Sequence, residues 1–422
     1  MKIKIIFLSL FVFTGLVFGG ISIFARENGG KIIPGQYIVV FKDNVKDTDV
    51  DSVISDLSKK HGTENLHSYH RVMKGFAGGI SLKEVEKIKR DPRVDFVSED
   101  REVEALGKFE SLKQSLSAKS QSIPTGIQRI GAISSLNKGA GIVVAVIDTG
   151  IDQTHPDLSA NILNSGTSCI RRTTSNDDNG HGTHVSGTIA AIDNGIGVIG
   201  VAPKAKLIPV KVLDRNGGGT WSSVICGIDW VTSHAGQYNI KLANLSLGGG
   251  GTSDDNCGNT NNDALHRAIC RSRDAGITYV VAAGNSAKDS ASSVPAAYDD
   301  AVITISALAD SDGLSGGLGG ATPYGPDDTF ANFSNFGAVV DLGAPGVSIL
   351  STWRGGGYAT ISGTSMATPH VVGAAVLYLN AHPGSTWTQI RDGLKSIGEL
   401  LGGGHSDPSL KHPEPVLKVS TL

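Results

Sequence analysis

The sequence predicts a molecule in two parts: a small α+β domain, then a large α/β sandwich with a largely parallel sheet. Charge density changes along the chain. Residues 31–119 carry 16 basic and 15 acidic side chains in 89 positions, whereas residues 120–422 carry 18 and 24 in 303. Past residue 120, near-continuous apolar runs alternate with helical patterns, as expected of strands covered on both faces. The chain has 422 residues and is 40% hydrophobic, enough for one large core and one small one.

The first 25 residues begin Met1-Lys2-Ile3-Lys4 and turn apolar through Phe18, a stretch that runs on through Gly19, Gly20 and Ile21 to Ala25. Residues 1–25 read as a secretory signal, cut near Gly19 or Ala25. The same run also fits a short membrane anchor. A cleaved signal implies a secreted product with no stable membrane anchor. Residues 34–104 form the small domain, with strands at 36–41, 75–81 and 94–97 and helices at 50–57 and 82–88. The first helix sets Val50, Val53, Ile54 and Leu57 on one face. Residues 105–119 read as a linker.

The large domain spans 120–400, with a tail at 401–422. Strands are predicted at 142–147, 207–212, 242–247, 277–283, 301–305 and 339–342. Helices are predicted at 183–191, 222–232, 263–273 and 368–379. The last is apolar all round and so buried, with Pro369 in its first turn. The Gly- and Asp-rich stretch 313–328 reads as an inserted surface loop. A net charge of -3 gives no ground for a nucleic-acid partner.

Four cysteines in an exported chain suggest two disulfides. Three pairings are open. Cys226 and Cys270 lie in helices flanking successive strands, and Cys169 and Cys257 in loops, so the expected pairs are Cys226–Cys270 and Cys169–Cys257. The spacing does not match a tetrahedral zinc site.

Three stretches carry chemistry. Asp148-Thr149-Gly150 follows an apolar strand and puts a carboxylate at the sheet's carboxyl edge. Alone, it is equally a turn. His181-Gly182-Thr183-His184 holds two histidines three apart, a possible metal pair that lacks the glutamate of H-E-x-x-H. Gly363-Thr364-Ser365 precedes the buried helix, and Ser365 alone reads as a cap. Together, Asp148, His181 and Ser365 supply the orienting acid, the base and the nucleophile of acyl transfer. Asp…His…Ser is one of the chain orders in which this geometry occurs.

V-A-V-I-D-T-G-I-D, H-G-T-H-V-S-G-T and G-T-S-M-A-T-P-H, in that order, closely resemble the subtilisin-like serine endopeptidases over residues 121–394. The resemblance implies a three-layer α/β sandwich and a secreted, monomeric peptidase acting on proteins and peptides. It assigns Asp148, His181 and Ser365 to the triad and leaves His184 structural. Asn285, in Ala282-Ala283-Gly284-Asn285, would donate to the oxyanion together with the Ser365 N–H. Ser246, Leu247 and Gly248 would pair with the substrate on one side, with Gly217 and Gly219 on the other. Leu213, Trp221 and Leu247 would line an apolar pocket. Calcium would be held by Gln121, Asp157, the Asn194 side chain and the carbonyls of Ile192, Ile196 and Val198, with a weaker cation at Asp341; oxygen donors suit calcium. The small domain resembles the inhibitory prosegment of the same enzymes, which makes the chain a self-processed zymogen inhibited by its own propeptide. Its tail would be cut after Leu106, whose side chain would enter an uncharged pocket near Asn285, Ser286 and Ser293. Val103 would fill the Leu213–Trp221–Leu247 pocket. Rival readings are a catalytically silent binding protein of this fold and a metal-dependent hydrolase built on His181 and His184.

Overall fold

A computed structural model describes residues 30–113 and 120–422. The predicted signal and part of the linker lie outside the described residues. Among those described, no helix is long and apolar enough to cross a membrane.

The small domain is an antiparallel sheet in the order Val94–Ala105, Ile32–Phe41, Gly75–Gly79, Glu64–Tyr69. The helices Val50–His61 and Leu82–Ile88 cover it and enclose Val39, Phe41, Leu57, Phe76 and Ile88. Val50, Val53, Ile54 and Leu57 are buried together on the first helix, as their spacing predicts. The strand Glu64–Tyr69 was not anticipated. Its residues ENLHSY carry no apolar alternation, and only Tyr69 is buried.

The large domain is built on parallel strands in the order Val302–Ala309, Thr278–Ala282, Ile240–Leu245, Val143–Asp148, Lys206–Lys211, Thr167–Ser168. Leu342–Pro345 runs parallel to Val302–Ala309, and Thr329–Phe330 closes that edge antiparallel. On one face Val144, Val146 and Leu242 pack with Val185 and Ile189 of helix His181–Ala190 and Val371 and Val372 of helix Thr364–Ala381. On the other, Ala145, Ile147 and Ala243 pack with Val224 and Ile228 of helix Trp221–Tyr238 and Ala268 and Ile269 of helix Ala264–Asp274. This is the three-layer sandwich, and alternation along each central strand feeds both cores.

Three expectations are corrected. The disulfides are Cys169–Cys226 and Cys257–Cys270, with Cα separations of 6.0 and 5.8 Å. Neighbouring helices do not bring their cysteines together: Cys226 reaches the loop after the edge strand Thr167–Ser168, and Cys270 lies over the loop just before its own helix. The stretch 401–422 is no separate tail. Leu417 N–H donates to Gly343 O and Val419 N–H to Ile130 O, and Val416, Leu417 and Val419 are fully buried. The strand predicted at 339–342 lies at Leu342–Pro345.

Candidate active site

Asp148 ends a wholly buried strand at the carboxyl edge of the sheet. The chain adds Lys206–Lys211 on one side of that strand and Ile240–Leu245 on the other. Asp148 therefore stands where the strand order reverses, the place where ligands gather in open α/β sheets. His181 opens the helix His181–Ala190 after Gly180, whose φ is 124°. A side chain at Gly180 would strike the Trp353 ring, since a Cβ there lies 2.3 Å from it. Buried Asp177 ties the turn, accepting from Thr149 Oγ1 and from the N–H groups of Asn179, Gly180 and Thr183.

His181 Nδ1 lies 2.9 and 3.0 Å from the two Asp148 oxygens. Burial pulls the imidazole pKa down. The charge and hydrogen bond of Asp148, aided by Asp177, outweigh burial and hold it above its usual value. His181 Nε2 has no hydrogen-bond partner among the described residues. His184 turns elsewhere: its Nε2 donates to the carbonyls of Ile349 and Ala359 at 3.0 and 3.2 Å, and burial lowers its pKa to about 3. The two rings do not share a metal position, which removes the basis of the metal-hydrolase reading.

Ser365 is fully buried and is the second residue of helix Thr364–Ala381. The helix starts four residues earlier than predicted, so Pro369 lies inside it rather than in its first turn. Ser365 Oγ donates to Ser246 O at 2.8 Å. Asn285 Oδ1 accepts from the N–H and Oγ1 of Thr364, at 2.9 and 2.8 Å, which fixes the amide. Its Nδ2 donates to Leu106 O at 2.7 Å. A Cβ at Gly363 would lie 2.3 Å from that same Leu106 oxygen, so glycine is required for the carbonyl to enter.

Leu106 arrives there because Val94–Ala105 leaves the small domain and runs into the cleft as a strand between two others. It pairs antiparallel with Leu247–Gly250 on one side, Leu247 opposite Ala105 and Gly248 opposite Glu104. On the other side it pairs with Gly218–Thr220, Val103 opposite Gly219. Ala105 N–H donates to Gly217 O and Leu106 N–H to Ser246 O, at 2.9 and 3.3 Å. Val103 is buried in the same apolar cluster as Leu213, Trp221 and Leu247. A Cβ at Gly248 would come within 3.0 Å of Leu106 Cδ1. All seven predicted substrate-side residues thus gather along this strand. The Leu106 pocket includes Asn285, Ser286 and Ser293 as expected, but exposed Lys288 also lines it, so it is not free of charge.

One contact was missed. Beyond Gly107, the strand Lys108–Lys113 pairs antiparallel with Gly357–Ser362, from Lys108 opposite Ser362 to Lys113 opposite Tyr358. Glu110 accepts from Ser348 Oγ at 3.0 Å and also from Ser362 Oγ. The alternation in Tyr358-Ala359-Thr360-Ile361-Ser362 was the available signal for a strand leading into Gly363.

The predicted calcium residues also meet. Buried Asp157 accepts from Asn194 Nδ2 (3.2 Å), Val198 N–H (2.9 Å) and the Tyr358 hydroxyl (2.9 Å), with no basic side chain among these partners. The Gln121 amide faces the carbonyls of Ile192 and Val198 at 2.8 and 3.1 Å, and Ile196 N–H donates to Asn194 Oδ1. Turned to present its oxygen, that amide completes an all-oxygen donor set of the kind calcium takes, so these residues fit the ion. Asp341 does not. Its Oδ1 lies 3.2 Å from Lys395 Nζ and 3.8 Å from Arg391 Nε, and its Oδ2 accepts Thr304 N–H, so protein cations already meet its charge.

A sequence model of the subtilase family matches residues 139–399, and one of the peptidase inhibitor I9 family matches residues 36–106. Subtilisin NAT of Bacillus subtilis subsp. natto is 36% identical over 410 residues, covering 95% of this chain and 94% of that protein. The alkaline protease of Shouchella clausii is 37% identical over 86% of this chain and 83% of its own length. Among solved structures, a cold adapted subtilisin-like serine proteinase superposes with a TM-score of 0.57 at 33% identity, covering 70% of this chain and 97% of that one.

Proposed function

The chain belongs to the subtilase family of serine endopeptidases and carries an I9 inhibitor propeptide, and from that premise we propose a secreted, monomeric zymogen that cuts itself between Leu106 and Gly107. Asp148, His181 and Ser365 are its triad and Asn285 its oxyanion donor. The observation that carries this is the Leu106 carbonyl, held by Asn285 Nδ2 at 2.7 Å as the tail lies in the cleft.

The steps follow from the groups present. Ser365 Oγ rotates away from Ser246 O and attacks the scissile carbonyl carbon. His181 Nε2, free of other partners, takes the proton. Asp148, fixed to Nδ1, stabilises the imidazolium. The charge on the carbonyl oxygen is met by Asn285 Nδ2 and by the Ser365 N–H at the helix start. His181 returns the proton to the leaving amine, and water then releases the acyl group by the reverse sequence. Loss of one such oxyanion donor lowers kcat by about 10²–10³ in subtilisin, the relative from which that magnitude is taken.

Selectivity follows from the strand that the tail mimics. Backbone pairing with Leu247–Gly250 and Gly218–Thr220 binds any extended peptide. Leu106 and Val103 mark an apolar preference at the residue before the cut and at the fourth residue back. Calcium bound by Gln121, Asp157 and the 192–198 loop adds stability, since an ion that binds only the folded chain shifts the equilibrium toward it. The domains are a signal at 1–25, a propeptide ending at the cut, and a peptidase continuing to the C-terminus. Casein hydrolysis by wild-type and Ser365→Ala protein tests the reading. The variant should lose nearly all activity and keep its propeptide attached. Full activity in the variant overturns the triad.

A further inference from the structure

The loop of residues 310–328 takes no part in the cleft or in the 192–198 site, yet it holds three carboxylates close together. Asp310 directly follows the core strand Val302–Ala309, and Asp327 directly precedes Asp328 and the edge strand Thr329–Phe330. One carboxylate oxygen from each of Asp310, Asp312 and Asp327 lies within 4.8 Å of the others. Asp310 is 3% exposed and Asp327 6%.

What makes the cluster unusual is an unsatisfied atom. Asp310 Oδ1 accepts Gly313 N–H at 3.0 Å, but its Oδ2 is buried with no hydrogen-bond partner. A buried acceptor left unpaired is costly, and a buried charge more so. The charged groups facing it do not relieve it. Asp328 and Asp327 repel it, and the nearby cation Arg129 is already committed. Arg129 Nε binds Asp328 at 2.6 Å and Nη2 binds Glu399 at 2.7 Å, all three side chains being buried.

The other ligand candidates have capacity to spare. Asp312 Oδ1 takes only Leu314 N–H, at 2.8 Å. Asp327 is held in place by Ser311 N–H and Oγ at one oxygen and by Gly319 N–H at the other. Asp327 Oδ1 is saturated by its two bonds, but Asp327 Oδ2, Asp310 Oδ2 and Asp312 each keep lone pairs for a metal. Asp310-Ser311-Asp312-Gly313 also has the alternate-carboxylate spacing of oxygen-ligand calcium loops, with Gly313 at φ 79° making the turn.

We propose that Asp310, Asp312 and Asp327 bind a calcium-type divalent cation that pins the 310–328 loop to the end of the core strand. The site is independent of the one at Asp157 and of the catalytic groups. Hard carboxylate ligands without nitrogen or sulfur favour calcium over zinc. The ion pairs the orphaned Asp310 oxygen and balances the surplus negative charge.

Calcium binding to full-length Ser365→Ala protein, which does not digest itself, tests this by equilibrium dialysis and calorimetry. Calcium alone is the probe. The parent should bind one more equivalent than Asp310→Asn or Asp312→Asn; the half-exposed Asp312 serves if Asp310→Asn fails to fold. With Asp157→Asn, one equivalent should remain, and Asp310→Asn or Asp312→Asn in that background should weaken it at least tenfold. Equal stoichiometry in the parent and both loop variants overturns the proposal whatever happens at Asp157. So does a gain in stability of Asp310→Asn over the parent at every calcium concentration, since no ion then compensates the buried carboxylate. Loss of binding in Asp157→Asn alone, with one equivalent still sensitive to Asp312→Asn, supports both sites.

Discussion

Ser246 and Ser365 exchange two hydrogen bonds: Ser365 Oγ donates to Ser246 O at 2.8 Å, and Ser246 Oγ donates to Ser365 O at 2.9 Å. The second bond exists because of Pro369. Within the helix Thr364–Ala381, the carbonyl of Ser365 would ordinarily accept from the amide four residues on, but proline has none. Ser246 fills the vacancy, and Asn244 Nδ2 holds its hydroxyl from the other side at 3.0 Å. The pair ties the segment leading into strand Leu247–Gly250 to the helix that carries Ser365.

Ser246→Ala should therefore cost about 1–3 kcal/mol, the usual range for a buried carbonyl left unpaired. The cost should fall below about 1 kcal/mol in a Pro369→Ala background, where the helix regains its own donor. Denaturant unfolding of the four proteins of this cycle, each on Ser365→Ala, measures it. Additive costs would show that Pro369 and Ser246 are not linked in this way.

The second prediction concerns pH and His181. Catalysis needs the neutral ring. Its pKa is raised by Asp148, so activity should fall as pH drops through a value above the usual 6.5, and should be full only on the alkaline side. Asp148→Asn removes the largest raising contribution and leaves burial, which acts the other way. The acid limb should move to lower pH while kcat falls by roughly 10⁴. A pH profile of kcat/KM for both proteins decides, and an unmoved limb contradicts the assignment.

These residues also show what was legible beforehand. Strands 142–147 and 207–212 were readable because both faces are buried and the apolar runs are unbroken. The three motifs were readable because each carries its chemistry in adjacent residues. The disulfides were not, since pairing depends on which way Cys226 and Cys270 face on their helices, and periodicity gave no reference direction. Glu64–Tyr69 is a polar strand whose order comes from its neighbours. Asp341 looked available to a metal because Lys395 and Arg391, which neutralise it, lie some fifty residues on in the chain. The start of helix Thr364–Ala381 was misplaced because proline was taken to mark a first turn, whereas Ser246 lets it sit further in.

Stability should also depend on pH through two buried histidines. Burial lowers His184 to about 3 and His370 to about 4. Between those values and 6.5 the unfolded chain binds protons that the folded chain does not. Their contribution is thus present above about 6.5 and lost as pH falls toward 4. Thermal unfolding of the Ser365→Ala protein from pH 8 to 4, at fixed calcium, should show a falling Tm. The slope should be shallower in His184→Gln, which keeps a donor for Ile349 O and Ala359 O. Identical slopes would remove His184 from the account.

Calcium at the Asp157 site makes a separate prediction. At a free concentration a hundred times Kd, an ion binding only the folded state adds about 2.7 kcal/mol. Chelator should lower the Tm of the mature enzyme, and Asp157→Asn should abolish the part of the response that depends on Gln121. A Gln121→Ala protein with unchanged calcium titration would place the ion elsewhere.

The last prediction is that activation needs two events. Cutting Leu106–Gly107 frees the small domain from the chain but does not free the cleft. Residues after the cut remain paired with Gly357–Ser362, directly before Gly363 and Ser365, and Glu110 holds both Ser348 and Ser362. Gln121 already sits on the 192–198 loop, so the new end is tethered at short range and its effective concentration at the strand stays high. Full activity should therefore lag behind the first cut and coincide with removal of residues between Gly107 and Gln121. Glu110→Ala should shorten the lag without altering the first cut. Intact mass and peptide hydrolysis followed together through maturation give the answer. Full activity at the moment the Gly107 end first appears would show that the strand Lys108–Lys113 offers no obstruction.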